Sequence, residues 1–214
     1  MNEMSWRYDR SESIADGAIH VAGVLFALMG AGALIIGNLW HPEPGVALAA
    51  SVYAVTLVAT LTMSAVYNMW PVSPVKWKLR KYDHAAIFLL IAGTYTPFAL
   101  QMEATGLLVW MWSVAATGVF LKIVFPGRFD RLAILLYLGL GWSGAALFDT
   151  MLTSLSPTVL WLILAGGVVY SVGVVFHVWH SLRFQNAIWH GFVLAGAIIH
   201  YGAVFVSVMG SQGV

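Results

Sequence analysis

Seven apolar stretches follow one another along this chain with only short connections between them, and few architectures accommodate that pattern. Each reaches the ~20 residues needed to cross a hydrocarbon core. They run from Ala18 to Trp40, Gly45 to Trp70, Tyr82 to Gln101, Thr105 to Phe125, Leu132 to Met151, Pro157 to His180 and Ala187 to Met209. Backbone amides find no water inside lipid, so the stretches are read as helices, and connections this brief force sequential antiparallel neighbours. The expected fold is an all-α integral membrane protein. Residues 18–209 form a single domain, a bundle of seven transmembrane helices, with a segment 1–17 before it and a short tail 210–214 after it. Hydrophobic residues make up 60% of the chain and charged residues 9%, a balance that suits lipid as the main solvent.

The ten Lys and Arg residues fall on one side of that arrangement. Arg7 and Arg10 precede the first span, and Lys76, Lys78, Arg80 and Lys81 follow the second. Lys122, Arg128 and Arg131 stand at the end of the fourth, and Arg183 follows the sixth. Cytoplasmic loops retain Lys and Arg during insertion, so the N-terminus is expected inside and the C-terminus, after an odd number of crossings, outside. These cations are spread over short loops without forming a stripe, and no nucleic-acid partner is expected. The absence of cysteine excludes disulfides and thiolate metal sites. The residues from Met1 to Asp16 carry both signs of charge and no apolar run, which argues against a cleaved signal peptide. Trp40, Trp70, Trp77, Trp179 and Trp189 gather toward span ends, as headgroup anchors do. Small residues at helical spacing, Gly139 with Ser143, Gly141 with Ala145 and Gly167 with Ser171, read as close helix contacts. A retinal protein would need a Lys in the seventh span, which has none, and a G-protein-coupled receptor would place its N-terminus outside.

Polar groups inside a membrane are costly and mark candidate functional positions. With the topology above, Asp16 and His20 begin the first helix, Ser64 and Asn68 end the second, Asp83 and His84 begin the third, His177 and His180 end the sixth, and Asn186 and His190 begin the seventh. All are expected near the cytoplasmic face. Three of these sets, Asp16 with His20, Ser64 with Asn68 and Asn186 with His190, are four residues apart and therefore share a helix face. His200 lies mid-span on another face and reads as a hydrogen-bonded packing histidine.

The stretches Ser64 to Tyr67 (SAVY), Asp83 to Phe88 (DHAAIF) with Ala92 to Pro97 (AGTYTP), and Ala187 to Gly196 (AIWHGFVLAG) resemble the bacterial hemolysin III family. That family is the prokaryotic branch of the progestin and adiponectin receptor superfamily, and the resemblance covers essentially the whole chain. It implies seven helices with the N-terminus inside, in the cytoplasmic (inner) membrane of a bacterium. It also implies a zinc ion near the cytoplasmic side, held by one His of the second helix and two of the seventh, with an Asp and a Ser beside them. Here the Ser position is Ser64, the Asp position Asp83 and the last His position His190, while the two other ligand positions hold Asn68 and Asn186. A carboxamide oxygen is a poor zinc donor, so the inherited set of Asn68, Asn186 and His190, with Asp83 nearby, is short of ligands. Two arrangements follow. One is a rearranged His and carboxylate site in which His84, beside Asp83, and the i, i+3 pair of His177 and His180 take over as ligands, with Asp16 and His20 as further polar groups at the same level. The other is a metal-free cluster in which both amides bond Asp83, Ser64 and His190.

Three functions are weighed. The first is a role in membrane homeostasis, sensing lipid state or influencing membrane energetics, with membrane lipids or a small lipid-like molecule as partner. The second, implied by ceramidase-like members of the superfamily, is zinc-dependent hydrolysis of a lipid amide, with Asp83 as base and Ser64 as a supporting donor. The third is pore formation, which the family's name suggests. A conducting path needs polar residues through the whole depth, whereas the outer halves of the spans are almost entirely apolar.

Overall fold

A computed structural model describes residues 9–40 and 44–210. Arg7, the connection from His41 to Glu43, the side chain of Trp40 and the tail after Gly210 lie outside the described residues. Helix ends are set by caps. α1 (Arg10–Trp40) starts at a capping box: Asp9 Oδ1 accepts the Glu12 backbone N–H at 2.8 Å, and Glu12 Oε2 accepts the Asp9 N–H at 2.9 Å. The Ser11 hydroxyl and the Glu12 amide together hold the Asp9 carboxyl down at about 2, so the cap is ionised at neutral pH. α2 (Pro44–Met69) ends where the Lys76 ammonium donates to the carbonyls of Asn68 at 2.8 Å and Trp70 at 3.0 Å. α3 (Pro74–Gln101) opens with Ser73 as N-cap and Pro74 in the first turn. The first and third helices therefore begin at Arg10 and Pro74, ahead of the apolar stretches that start at Ala18 and Tyr82, because caps rather than apolar content fix where a helix starts. Asp16 consequently lies inside α1.

α4 (Thr105–Val124) is unbroken, whereas the fifth span divides into α5 (Asp130–Trp142) and α6 (Phe148–Ser154) around a 3-10 turn, Ser143–Leu147. Tyr95 of α3 enters that break. Its hydroxyl donates to the Gly141 carbonyl at 2.5 Å and accepts the Gly144 N–H at 3.2 Å, serving backbone groups that lipid cannot. α7 (Pro157–Val178) and α8 (Gln185–Gly210) complete the chain. Seven helical spans are long and apolar enough to cross a membrane, and there is no strand among the described residues.

α3 is the axis of the bundle: 67% of its apolar window is buried inside the protein, against 17% for α7. α2 and α4 flank it, α8 touches its far side and packs along α7, and α1 lies between α2 and α8. Tyr53, Leu57, Phe88, Met111 and Val204 form the centre of the core. Hydrogen bonds from Thr60 to the Ala86 carbonyl (2.9 Å), Tyr137 to the His84 carbonyl (2.7 Å) and Tyr201 to the Gly30 carbonyl (3.0 Å) fix neighbouring helices in register. Close approach occurs at Gly118, where a Cβ would meet the Phe88 ring at 2.5 Å, and at Gly196, where it would meet Tyr170 at 2.8 Å. The contacts expected at Gly139 and Gly141 are not made: neither has a neighbour within 4 Å of a Cβ position, because that side of α5 faces outward. Gly167 and Ser171 do serve packing, since Trp142 lies 3.4 Å from the Gly167 position and donates to Ser171 at 3.0 Å. His200 bonds the Ile163 carbonyl at 3.1 Å, in keeping with a packing histidine.

Candidate functional site

Four helices deliver the polar groups to one place. α1 supplies Asp16 and His20 one turn apart, α2 supplies Ser64 and Asn68, α3 supplies Asp83, and α8 supplies Asn186 and His190 from its first two turns. The four-residue spacings put each pair on one face, as expected, and packing of α1 against α2 and α8 turns those faces toward one another.

Asp16 is the hub. Its Oδ1 lies 2.6 Å from His190 Nδ1, and its Oδ2 accepts from the Asn186 amide at 2.9 Å. His20 Nε2 is 3.6 Å from the same Oδ2, beyond a hydrogen bond, and its ring lies 4.4 Å from that of His190 between centroids. The Asn186 amide also reaches Asn68 Oδ1 at 3.4 Å, and Asn68 in turn donates to the Ser64 carbonyl at 3.0 Å. Asp83 is buried on α3, where Ser64 and His190 are among its electrostatic neighbours. Asp16, His20, Asp83 and His190 are each no more than 9% exposed, so the protein must satisfy them. Among these four residues, His20 Nε2 is buried without a hydrogen-bond partner.

Ser64, Asn68, Asn186 and His190 thus lie in one connected network, and the acceptor that joins Asn186 to His190 is Asp16, not Asp83 as expected for a metal-free cluster. The remaining histidines stand apart. His84 follows Asp83 by one residue and points about 100° around the helix; its Nδ1 lies 3.9 Å from Asp130, which pairs with Arg80 at 2.7 Å and Lys122 at 2.6 Å. His177 packs on Trp189 at 4.7 Å, and His180 is exposed in the turn after α7. A rearranged site drawing on these three is not assembled. Asp16 and His20, candidates from their four-residue spacing at the start of the first helix, take the central place expected of Asp83.

The inherited zinc positions do not fit zinc. Asn68 Oδ1 already accepts from Asn186, the Asn186 amide nitrogen is directed at Asp16, and neither carboxamide offers a good donor to that ion. Asp16, His20 and His190 do have the chemistry, with one ligand atom each and all three atoms within 4.8 Å of one another. A cavity of about 20 Å³ adjoins them, lined by His20, Ser64 and His190 together with Ile19, Leu61 and Leu194.

Comparison with known proteins matches a family profile described as Haemolysin-III related to residues 8–201. The chain is 34% identical over 203 residues to Hemolysin-3 of Bacillus cereus, covering 92% of each chain. It is 37% identical over 195 residues to the Hemolysin-3 homolog of Bacillus subtilis (strain 168), covering 87% of this chain and 89% of that one. With the Monocyte to macrophage differentiation factor of Homo sapiens it shares 29% identity over 175 residues, 74% of this chain and 69% of the other.

Proposed function

This chain belongs to the haemolysin-III related family, within the progestin and adiponectin receptor superfamily, and from that membership we propose a non-enzymatic role in membrane homeostasis. The protein resides in a bacterial cytoplasmic membrane with its N-terminus inside, and the buried cluster near the cytoplasmic face responds to a small occupant. That occupant alters how α1 packs against α2 and α8. One observation carries the reading. The cavity at the cluster measures about 20 Å³, room for a single water or ion and far too little for a lipid amide with its acyl chain. The partner is then the surrounding lipid, met by the outer faces of the helices, and the cluster sets the state of the bundle.

Expression of the intact chain in a bacterium lacking its own haemolysin-III related protein tests this. Lipid composition by mass spectrometry, membrane order by fluorescence anisotropy and membrane potential should shift in the deletion strain and return with the intact chain but not with Asp16→Ala. Failure of the intact chain to change any of the three counts against the role. The hydrolase reading retains one favourable observation: Ser64 lines the cavity together with His20 and His190, the two imidazoles of a set that Asp16 completes. Release of fatty acid from a lipid amide by the purified protein, lost on Asp83→Asn, would put it first.

The orientation is checked separately. Reporter fusions at Val214 should be active only outside, and fusions at Gly127, in the connection after α4, only inside, because Lys122, Arg128 and Arg131 cluster there. The opposite pattern would move the polar cluster to the outer face.

A further inference from the structure

We infer that Asp16, His20 and His190 hold one divalent first-row metal ion of the zinc class, at a site made by α1 and α8 rather than at the inherited positions of α2 and α8. The inference supplies the small occupant on which the proposed role depends. Four observations support it. The donors come from two helices and converge within 4.8 Å, all buried. His20 Nε2 and Asp16 Oδ2 are 3.6 Å apart, too far to bond each other yet close to the ~3.3 Å edge of a tetrahedron with metal–ligand bonds of ~2.0–2.1 Å. His20 Nε2 has no hydrogen-bond partner, an arrangement rare for a buried ring nitrogen and resolved by a metal bond. The cavity of about 20 Å³ that both imidazoles line, walled by Ile19, Leu61 and Leu194, admits one further small ligand such as water.

Two imidazoles and one carboxylate select transition metals over calcium or magnesium, which favour all-oxygen shells. Asn186 takes a different part from the one its position inherits. Its amide, 2.9 Å from Asp16 Oδ2, orients the carboxylate, the task that outer partners perform around metal ligands. Asp16 and His190, 2.6 Å apart, are hydrogen-bonded in the structure; ligation through that His190 nitrogen opens this contact to about 3.3 Å. Metal thus pins the start of α1 to the start of α8 in a geometry distinct from the hydrogen-bonded one.

The full-length protein, purified in detergent, is stripped with a strong chelator, reloaded with Zn²⁺ or Co²⁺ and dialysed against a weak chelator. Elemental analysis should find about one ion per chain, and Co²⁺ should give the visible absorption of a nitrogen and oxygen site. His20→Gln, which keeps bulk and hydrogen-bonding capacity, and Asp16→Asn should each weaken binding by at least about a hundredfold. Asn186→Ala should weaken it by about 10–100-fold, and Asn68→Ala, which removes only the 3.4 Å contact to Asn186, should weaken it less than Asn186→Ala does. Each variant is compared only if its helical circular dichroism and monodisperse elution match the parent. Loss of metal from the parent protein, parental affinity in His20→Gln, or a larger loss of affinity in Asn68→Ala than in Asp16→Asn would each overturn the assignment. Retained metal without restored membrane properties removes the proposed role and leaves the site standing. Restored properties without metal do the reverse.

Discussion

Replacing Asp16 with Ala is expected to destabilise the protein by about 3–5 kcal/mol, because two buried hydrogen bonds to a carboxylate are lost, each worth about 1.5–3 kcal/mol. Asp16 is 9% exposed and receives both His190 Nδ1, at 2.6 Å, and the Asn186 amide, at 2.9 Å. No other acceptor is within hydrogen-bonding distance of His190 Nδ1 among the described residues, so truncation leaves that nitrogen without a protein partner in a region poor in water. Asp16→Asn keeps the volume and one acceptor oxygen and should cost less, about 1–3 kcal/mol. Thr60→Ala removes a neutral bond to the Ala86 carbonyl and serves as a scale, at about 1 kcal/mol. Unfolding in mixed detergent, followed by circular dichroism in metal-free buffer, measures all three. An Asp16→Ala variant within about 1 kcal/mol of the parent would show that α1 is held by its apolar face alone and that Asp16 is not the hub.

Much of this arrangement is legible in the sequence, and the exceptions have physical causes. Hydropathy places the second, fourth and seventh spans within a few residues of Pro44–Met69, Thr105–Val124 and Gln185–Gly210, because both ends of those helices lie close to the edge of the apolar run. It starts the first and third spans late, since the caps at Asp9 with Glu12 and at Ser73 with Pro74 are built from polar residues or proline outside the apolar window. The site is unaffected: Asp16 and His20 lie on one face of α1, as their spacing requires, and Asp16 on that face meets α8. Four-residue spacing correctly groups Asp16 with His20, Ser64 with Asn68 and Asn186 with His190. Periodicity does not say which faces meet. Asp16 and Asp83 are equivalent in sequence as acceptors for the two amides, and only the position of α1 between α2 and α8 decides for Asp16. Depth alone likewise groups His84 with Asp83, although adjacent positions on a helix diverge by about 100° and His84 turns toward Asp130. The break in the fifth span has no proline at the break to announce it; Tyr95, distant in sequence, serves the opened backbone.

Restoring imidazole at both inherited positions should create a metal site independent of α1. In a His20→Gln background, which lacks one donor of the Asp16, His20 and His190 set, Asn68→His together with Asn186→His should raise retention through dialysis from none to about one zinc per chain. The geometry favours it. Asn186 and Asn68 already approach to 3.4 Å, near the ~3.3 Å that separates ligands around tetrahedral zinc, and Asn186 lies one turn before His190 on α8. Positions 68 and 186 therefore face each other already, and position 186 shares the face of α8 that carries His190. Either single substitution leaves two imidazoles and one carboxamide, a tetrahedron short of a strong donor, and should bind at least about tenfold more weakly than the pair. Binding to the folded state alone should also raise unfolding stability, by about 2.7 kcal/mol at a free zinc concentration of one hundred times Kd. A folded triple variant that holds no zinc would show that α2 and α8 do not approach as described.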